Sequence, residues 1–306
     1  MNKVIVTCAI SGSGTVRGEG RGASPYIPVT VEEMVAEAKR AFDAGASIIH
    51  LHARDPKTNR SYVGGQMEEN TSQMIAYANA IKEARPKAII NITTGGGSGQ
   101  TFADKIDPVV KYQPPLASFT SGVYNFARYS KTAGKLVADS APAMNFQVML
   151  DYAEAFKKAG TKAEFEIYDA GHLKNITMIN EIMDFDPNPM IQFVLGQPGQ
   201  NNSPSVQHIV RLYEYAKELL GEGKFFWGAA AVGLNAWGVI PTVAYMGSAT
   251  IRTGLEDNIY MEPGVLAKSN GEMIEKLVML ARIAGREIAS PEETVEILGL
   301  KAGSIL

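Results

Sequence analysis

The stretch S-I-I-H-L-H-A-R-D-P, Ser47 to Pro56, holds two of the four histidines in the chain, one residue apart. On a strand, residues i and i+2 point to one face. His50 and His52 would therefore present two imidazoles side by side, a pair able to share a metal ion. The competing reading is two hydrogen-bonded histidines in a half-buried sheet. The pair closes an apolar run and opens onto Arg54-Asp55-Pro56, a loop start, and that context favours metal. Two histidines are half a site, because a catalytic zinc takes three protein ligands and keeps one position open. Glu256 is the leading third candidate, with His172 and Glu166 as rivals.

The elements that must bring these residues together can be read from periodicity. Strand-like runs cover Lys3 to Ile10, Ser47 to Ala53, Ala88 to Thr93, Ala117 to Thr120, Ala163 to Asp169, Met190 to Leu195, Phe225 to Ala231, and an eighth beginning at Ala249. Helical patterns fall between many of them. Thr30-Val-Glu-Glu33 is a capping box for a helix to about Asp43. Further helices are predicted over Met67 to Ala84, Asn145 to Ala159, Leu173 to Phe185, Ser205 to Leu220 and Gly271 to Ala284, with a last helix start at Ser290-Pro-Glu-Glu293. Eight strands alternating with helices imply parallel pairing. A chain of 306 residues without a linker then suggests a single α/β domain over 1–306, a closed (β/α)8 TIM barrel. A doubly wound open sheet is the runner-up, but the glycines after the first strand (Gly12, Gly14, Gly18, Gly20, Gly22) miss the G-x-G-x-x-G spacing and no helix follows directly.

In such a barrel, chemistry gathers where strands end and loops begin. Those ends carry His50, His52, Arg54 and Asp55; Thr93-Thr94-Gly95-Gly96-Gly97; Ser118, Thr120 and Ser121; Glu164, Glu166 and Tyr168 on one face; and Arg252, Glu256, Asp257 and Asn258. Closure of the barrel would set the last of these beside the first two strands, which is what recommends Glu256. The bland reading of Glu256-Asp257 is a solvated acidic pair. Against it, Arg252 and Glu256 are the first charges after the uncharged segment Phe225 to Ile251. The glycines after Thr94 would let backbone approach a ligand closely, although, read alone, they are better explained by a plain turn.

Composition narrows the partners. The net charge of −3, from 29 basic and 32 acidic residues without a block of one sign, argues against nucleic acid or a membrane surface. Phe225 to Ile251 is long enough to span a bilayer, but its four glycines, its asparagine and its proline break it. It reads better as a strand, a turn, a buried helix and the start of another strand. The single cysteine, Cys8, suits a reducing cytoplasm, and the N-terminus lacks the apolar core of a signal peptide.

Taken in order, H-L-H-A-R-D-P, T-T-G-G-G, A-S-F-T-S-G-x-x-N-F, E-x-E-I-Y-D-A-G-H, Q-F-V-L-G-x-P-G and R-T-G-L-E-D-N resemble the β-keto acid cleavage enzyme family over nearly the whole chain. The resemblance implies a zinc-dependent barrel, with one Zn2+ per subunit, that reacts a small β-keto acid with acetyl-CoA to give acetoacetate and a new acyl-CoA. It implies zinc ligation by His50, His52 and Glu256, with Asp257 as general base paired with Arg252. Thr93 takes the place of a substrate-contacting serine, with Thr94 and Gly95 beside it, and Ser118 that of a threonine, with Thr120 on the same strand. Glu166 matches a glutamate of the active centre. The resemblance also implies a homo-oligomer, commonly a tetramer.

One position departs from the pattern. The 3-keto-5-aminohexanoate type carries an acid that reads the substrate's amino group two positions after the first-strand glycine, where this chain has Gly14. Arg17, Glu19 or Arg21 could read another tail: an arginine a second carboxylate, Glu19 a cation, with Trp227 or Trp237 adding an aromatic face. Two rival functions remain. An amidohydrolase-like zinc hydrolase would place its histidine pair on strand 1, with more histidines at strands 5 and 6. A non-catalytic CoA- or metabolite-binding barrel would need neither metal nor the Arg252-Asp257 pair.

Overall fold

A computed structural model describes residues 2–20, 22–96, 99–131, 133–141, 144–199 and 202–305. Eight parallel strands pair in chain order: β1 (Lys3–Ala9), β2 (Ile48–Leu51), β3 (Ile89–Ile92), β4 (Leu116–Thr120), β5 (Lys162–Ile167), β6 (Met190–Leu195), β7 (Phe226–Ala231) and β8 (Thr250–Thr253). β8 pairs back onto β1, with Thr7 opposite Arg252, so the sheet closes as the expected α/β TIM barrel. Helices α1 (Val31–Asp43), α2 (Met67–Ala84), α3 (Phe102–Tyr112), α4 (Phe146–Ala159), α5 (Gly171–Met183), α6 (Val206–Leu220), α7 (Ala236–Tyr245) and α8 (Asn270–Ile283) follow the strands in turn, and α9 (Pro291–Leu298) ends the fold.

Local chemistry sets most boundaries. At α1, Thr30 Oγ1 accepts from the Glu33 amide at 3.2 Å while the Glu33 carboxylate accepts from the Thr30 amide at 3.1 Å, the capping box that the spacing predicts. Gly160 ends α4 in the left-handed conformation. The link from β3 to β4, where no helix is expected from the sequence, folds as α3. Its capping box uses Asp104 where Glu or Gln is usual, and Pro108 interrupts the helical pattern. The antiparallel hairpin Phe126–Ser130/Lys135–Ser140, after β4, is likewise unforeseen. The uncharged segment resolves into β7, a short 3-10 turn, α7 and the start of β8. Among the described residues no helix is long and apolar enough to cross a membrane.

The barrel interior is layered by side-chain alternation. Near the N-terminal ends of the strands Ile5, Ile48, Ile89, Leu116 and Met190 fill it, plugged from below by Ala289 and Leu298. Outward-facing residues such as Ile49, Phe119, Phe165 and Phe193 belong to the main core under the helices. Two residues above the apolar plug, the inward faces turn polar: Thr7, His50, Asn91, Ser118, Glu164 and Gln192 are all fully buried. A buried polar layer costs free energy unless its groups find partners. It therefore belongs to what lies above it, at the mouth.

The turn after β8 depends on one glycine. Gly254 has φ +156°, and a Cβ there would overlap the Ala9 carbonyl of β1. Gly254→Ala should lower stability by about 2 kcal/mol or more, by strain and overlap together. Chemical denaturation of the two proteins measures it, and equal midpoints and slopes would contradict the role assigned to the glycine.

Candidate active site at the barrel mouth

His50 lies in β2 and His52 just beyond its end, while Glu256 comes from the loop after β8. One ligand atom from each lies within 4.8 Å of the others. His52 Nε2 stands 3.3 Å from Glu256 Oε1, and His50 Nε2 stands 3.7 Å from Glu256 Oε2. The two rings are 5.3 Å apart, inclined at 69°. Both nitrogens of His50 and Oε2 of Glu256 are buried without a hydrogen-bond partner. Such orphans are rare in folded proteins. Burial pushes the His50 pKa down to about 3, against the pull of Glu256, so the ring is neutral at neutral pH. The neutral His50 ring, the His52 ring and a carboxylate facing one another across these distances fit a divalent cation.

Glu256 reaches this position because the loop after β8 is pinned to the loop after β1. The Glu256 amide donates to Ala9 O at 3.2 Å. Gly12 packs directly on the Glu256 side chain, where any Cβ would overlap its Cγ. Asn270, at the start of α8, accepts from the Leu255 amide at 2.9 Å and donates to Ile10 O at 3.2 Å. Arg54, from the H-L-H-A-R-D-P motif, is almost fully buried. It donates to the carbonyls of Gly12, Thr15 and Asn59 at 2.5, 3.0 and 2.6 Å, tying the loops after β1 and β2 together.

Arg252 organises the acids. Its Nε and Nη2 donate to the two oxygens of Asp257 at 3.0 and 2.9 Å, and Nη2 also donates to Glu256 Oε1 at 2.6 Å. Burial works against charge on Glu256, but His52, Arg252 and His50 together hold its pKa well below the usual carboxylate range. Asp257 behaves differently. An arginine neighbour alone would lower its pKa, yet burial outweighs Arg252, the nearby Glu256 adds to the effect, and the Asp257 pKa is raised. A raised carboxyl is a better proton acceptor than an ordinary one. Burial also raises Glu166, whose Oε2 accepts from Tyr168 Oη at 3.1 Å and Thr120 Oγ1 at 3.3 Å.

Of the residues expected at the site, His50, His52, Glu256, Arg252, Asp257 and Glu166 share one electrostatic neighbourhood. Gly95 is beside them, a Cβ there lying 3.9 Å from the His52 ring, and its amide donates to Thr93 Oγ1 at 3.0 Å. Thr94 and Ser118 bond each other: Thr94 Oγ1 donates to Ser118 O at 2.7 Å, and Ser118 Oγ accepts from the Thr94 amide at 3.1 Å. Gly14 is exposed, with open space where a side chain would stand. The candidate tail readers fare worse. Arg17 is held by both oxygens of Glu33 at 2.6 and 2.7 Å. Trp227 packs outside the barrel against Tyr213 and Phe193, and Lys276 already covers the Trp237 ring at 4.4 Å. Arg21 and Gly97 lie outside the described residues. His172 is no rival ligand, because Nε2 meets Val123 O at 3.0 Å and Nδ1 accepts from the Tyr168 amide.

One residue at this site, Asn91, was not singled out from sequence. Asn91 Nδ2 donates to Glu164 Oε2 at 2.7 Å in the polar layer that also holds His50. A lone polar residue in the apolar run I-I-N-I-T was the available signal for Asn91. Strict alternation, K-A-E-F-E-I, was the signal for an inward Glu164.

A model of the beta-keto acid cleavage enzyme family matches residues 3–300. The 3-keto-5-aminohexanoate cleavage enzyme of Acetoanaerobium sticklandii is 33% identical over 300 residues, covering 98% of this chain and 99% of that one. The 3,5-dioxohexanoate:acetyl-CoA acetone transferase of Paraburkholderia graminis is 30% identical over 315 residues, covering 99% and 97%. Among solved structures, the binary complex of ObcA with oxaloacetate superposes with a TM-score of 0.69 at 19% identity, over 92% of this chain and 68% of that one, a likeness of fold.

The buried Glu164 makes stability depend on pH. Burial raises its pKa from 4.5 to about 7, against Arg252 and Asn91. The folded state thus keeps a proton that the unfolded chain releases. Its contribution is fully present below pH 4.5 and is lost as pH rises through 7, about 3 kcal/mol in all. Glu164→Gln should flatten this part of the profile in the metal-free protein. Denaturation at pH 5 and pH 8 reads the difference, and parallel profiles for the two proteins would contradict it.

Proposed function

Because the chain belongs to the β-keto acid cleavage enzyme family, we propose that it transfers the carboxymethyl carbon unit of a small β-keto acid to the acetyl group of acetyl-CoA, releasing acetoacetate and a new acyl-CoA. The observation that carries this reading is the convergence of His50, His52 and Glu256 beside the Arg252–Asp257 pair. It takes residues 1–306, of which 3–300 match the family model, as one catalytic unit.

In this reading His50, His52 and Glu256 hold a zinc ion. Bound there, the ion supplies Lewis-acid polarisation of the keto oxygen and favours the enolate. Asp257, oriented by the bidentate hold of Arg252, takes a proton from the carbon between the keto and carboxylate groups. That carbon forms a bond to the acetyl carbonyl carbon, and the CoA thiolate leaves. The thiolate then adds to the substrate's own keto carbon, and the original carbon–carbon bond breaks. The electron pair returns to the carbon between the two carbonyls, which recovers the proton from Asp257. Atoms, charge and the proton on Asp257 are all restored at the end of the cycle. Thr93 and Gly95 border the substrate beside His52, and buried Glu166 is held by Tyr168 and Thr120. The engagement of Arg17 and of both tryptophans leaves the tail to other groups, so no particular acid is named.

Three measurements test the reading. A panel of β-keto acids with acetyl-CoA should yield acetoacetate from at least one; no acetoacetate from any would count against it. His52→Ala should lose bound zinc and at least a thousandfold in turnover, and a variant that kept both would remove the triad from the mechanism. Asp257→Asn should keep zinc and lose a hundredfold or more in kcat, whereas unchanged acetoacetate production would exclude Asp257 as the base.

A further inference from the structure

We propose that Asn91 and Glu164 are positioning residues for His50, forming a carboxyl–amide–imidazole chain that fixes which ring nitrogen faces the cation site. The proposal rests on the reading of His50 as a cation ligand. His50 and Asn91 are register partners on adjacent strands, so both side chains point into the barrel at one level. His50 Nε2 is the nitrogen that faces Glu256. The ring's other edge, with Nδ1, is buried and has no other partner.

The Asn91 amide is oriented by its other bond. Nδ2 donates to Glu164 Oε2 at 2.7 Å, which leaves Oδ1 turned away from the carboxyl, itself a buried acceptor without a partner. The missing donor and the missing acceptor are thus on paired residues: His50 Nδ1–H donates to Asn91 Oδ1, and Asn91 Nδ2–H donates to Glu164. A proton held on Nδ1 leaves the Nε2 lone pair free for the cation. Glu164 reaches Asn91 across β4 because Ser118, at the intervening inward position, is small and bonded to Thr94. No other histidine has this arrangement among the described residues. His172 and His208 are held instead by a backbone carbonyl and by Asn202.

The test uses the full chain and Zn2+ alone, with affinity read by competition with a chromophoric chelator and folding by circular dichroism. Asn91→Leu, close in size and without hydrogen bonds, should weaken Zn2+ binding ten- to a hundredfold. Glu164→Leu should weaken it in the same direction. Glu164→Gln keeps an acceptor for Asn91 and should stay within about threefold of wild type. Folded Asn91→Leu and Glu164→Leu proteins with wild-type affinity would overturn the chain of bonds while leaving the cation site in place. A wild-type protein that takes up no Zn2+ would overturn both. Should the leucine variants not fold, 15N-histidine spectra of the zinc-loaded wild type decide: the His50 proton on Nδ1 supports the proposal, and on Nε2 it overturns it.

Discussion

Charge balance at a nearly dry barrel mouth is the constraint on which the rest of the site depends. Glu256 and Asp257 lie within hydrogen-bond reach of a single guanidinium, that of Arg252. The adjacent His50 is neutral by burial. Two carboxylates facing one arginine leave the cluster short of positive charge, in surroundings where unbalanced charge is expensive. The molecule divides the burden: Glu256 is held well below the usual carboxylate range and Asp257 above it. In the proposed working state a divalent cation reverses the deficit and leaves the mouth matched to an anionic keto acid. The same division suits the two roles of the proposed function, the acid held ionised as a ligand and the acid with the raised pKa as a base.

Barrel closure makes that arrangement possible. The histidines and Glu256 are about two hundred residues apart in sequence, and the only bridge between their strands is β1, which pairs with β2 on one side and β8 on the other. The loops rising from β1 and β8 are then locked by contacts that leave no freedom at Glu256: the bare Cα of Gly12, the turn at Gly254, the Asn270 amide and the buried Arg54. The geometry of the candidate site is therefore held by strand register and backbone carbonyls. Beneath it, the polar layer containing Asn91 and Glu164 occupies space that an ordinary barrel fills with aliphatic side chains.

Much of this was legible in the sequence. Apolar runs of strand length located all eight strands, and H-x-H at the end of one of them located the face on which His50, His52 and Glu256 converge, without reference to any relative. Glu256 follows from barrel closure, which sets the loop after the eighth strand beside the first two, and the uncharged segment before it argues against a merely solvated acidic pair. What escaped has physical causes. α3 was hidden by Pro108 and by an aspartate in its capping box. The rise in the Asp257 pKa is not legible in the sequence, because spacing reports the arginine partner and not the depth of burial. Arg17 and the tryptophans looked free because sequence does not show which cation or ring is already taken. Arg54 reads as a loop charge and is in fact a fully enclosed staple between loops.

The central claim is that His50, His52 and Glu256 close on one cation. Diffraction from crystals of the zinc-loaded protein, collected on both sides of the zinc absorption edge, tests it directly. An anomalous peak bonded to Nε2 of both histidines and to the Glu256 carboxylate, present above the edge and absent below it, is the predicted result. Zinc located elsewhere in the same crystals, with the three side chains left unbridged, would contradict the account.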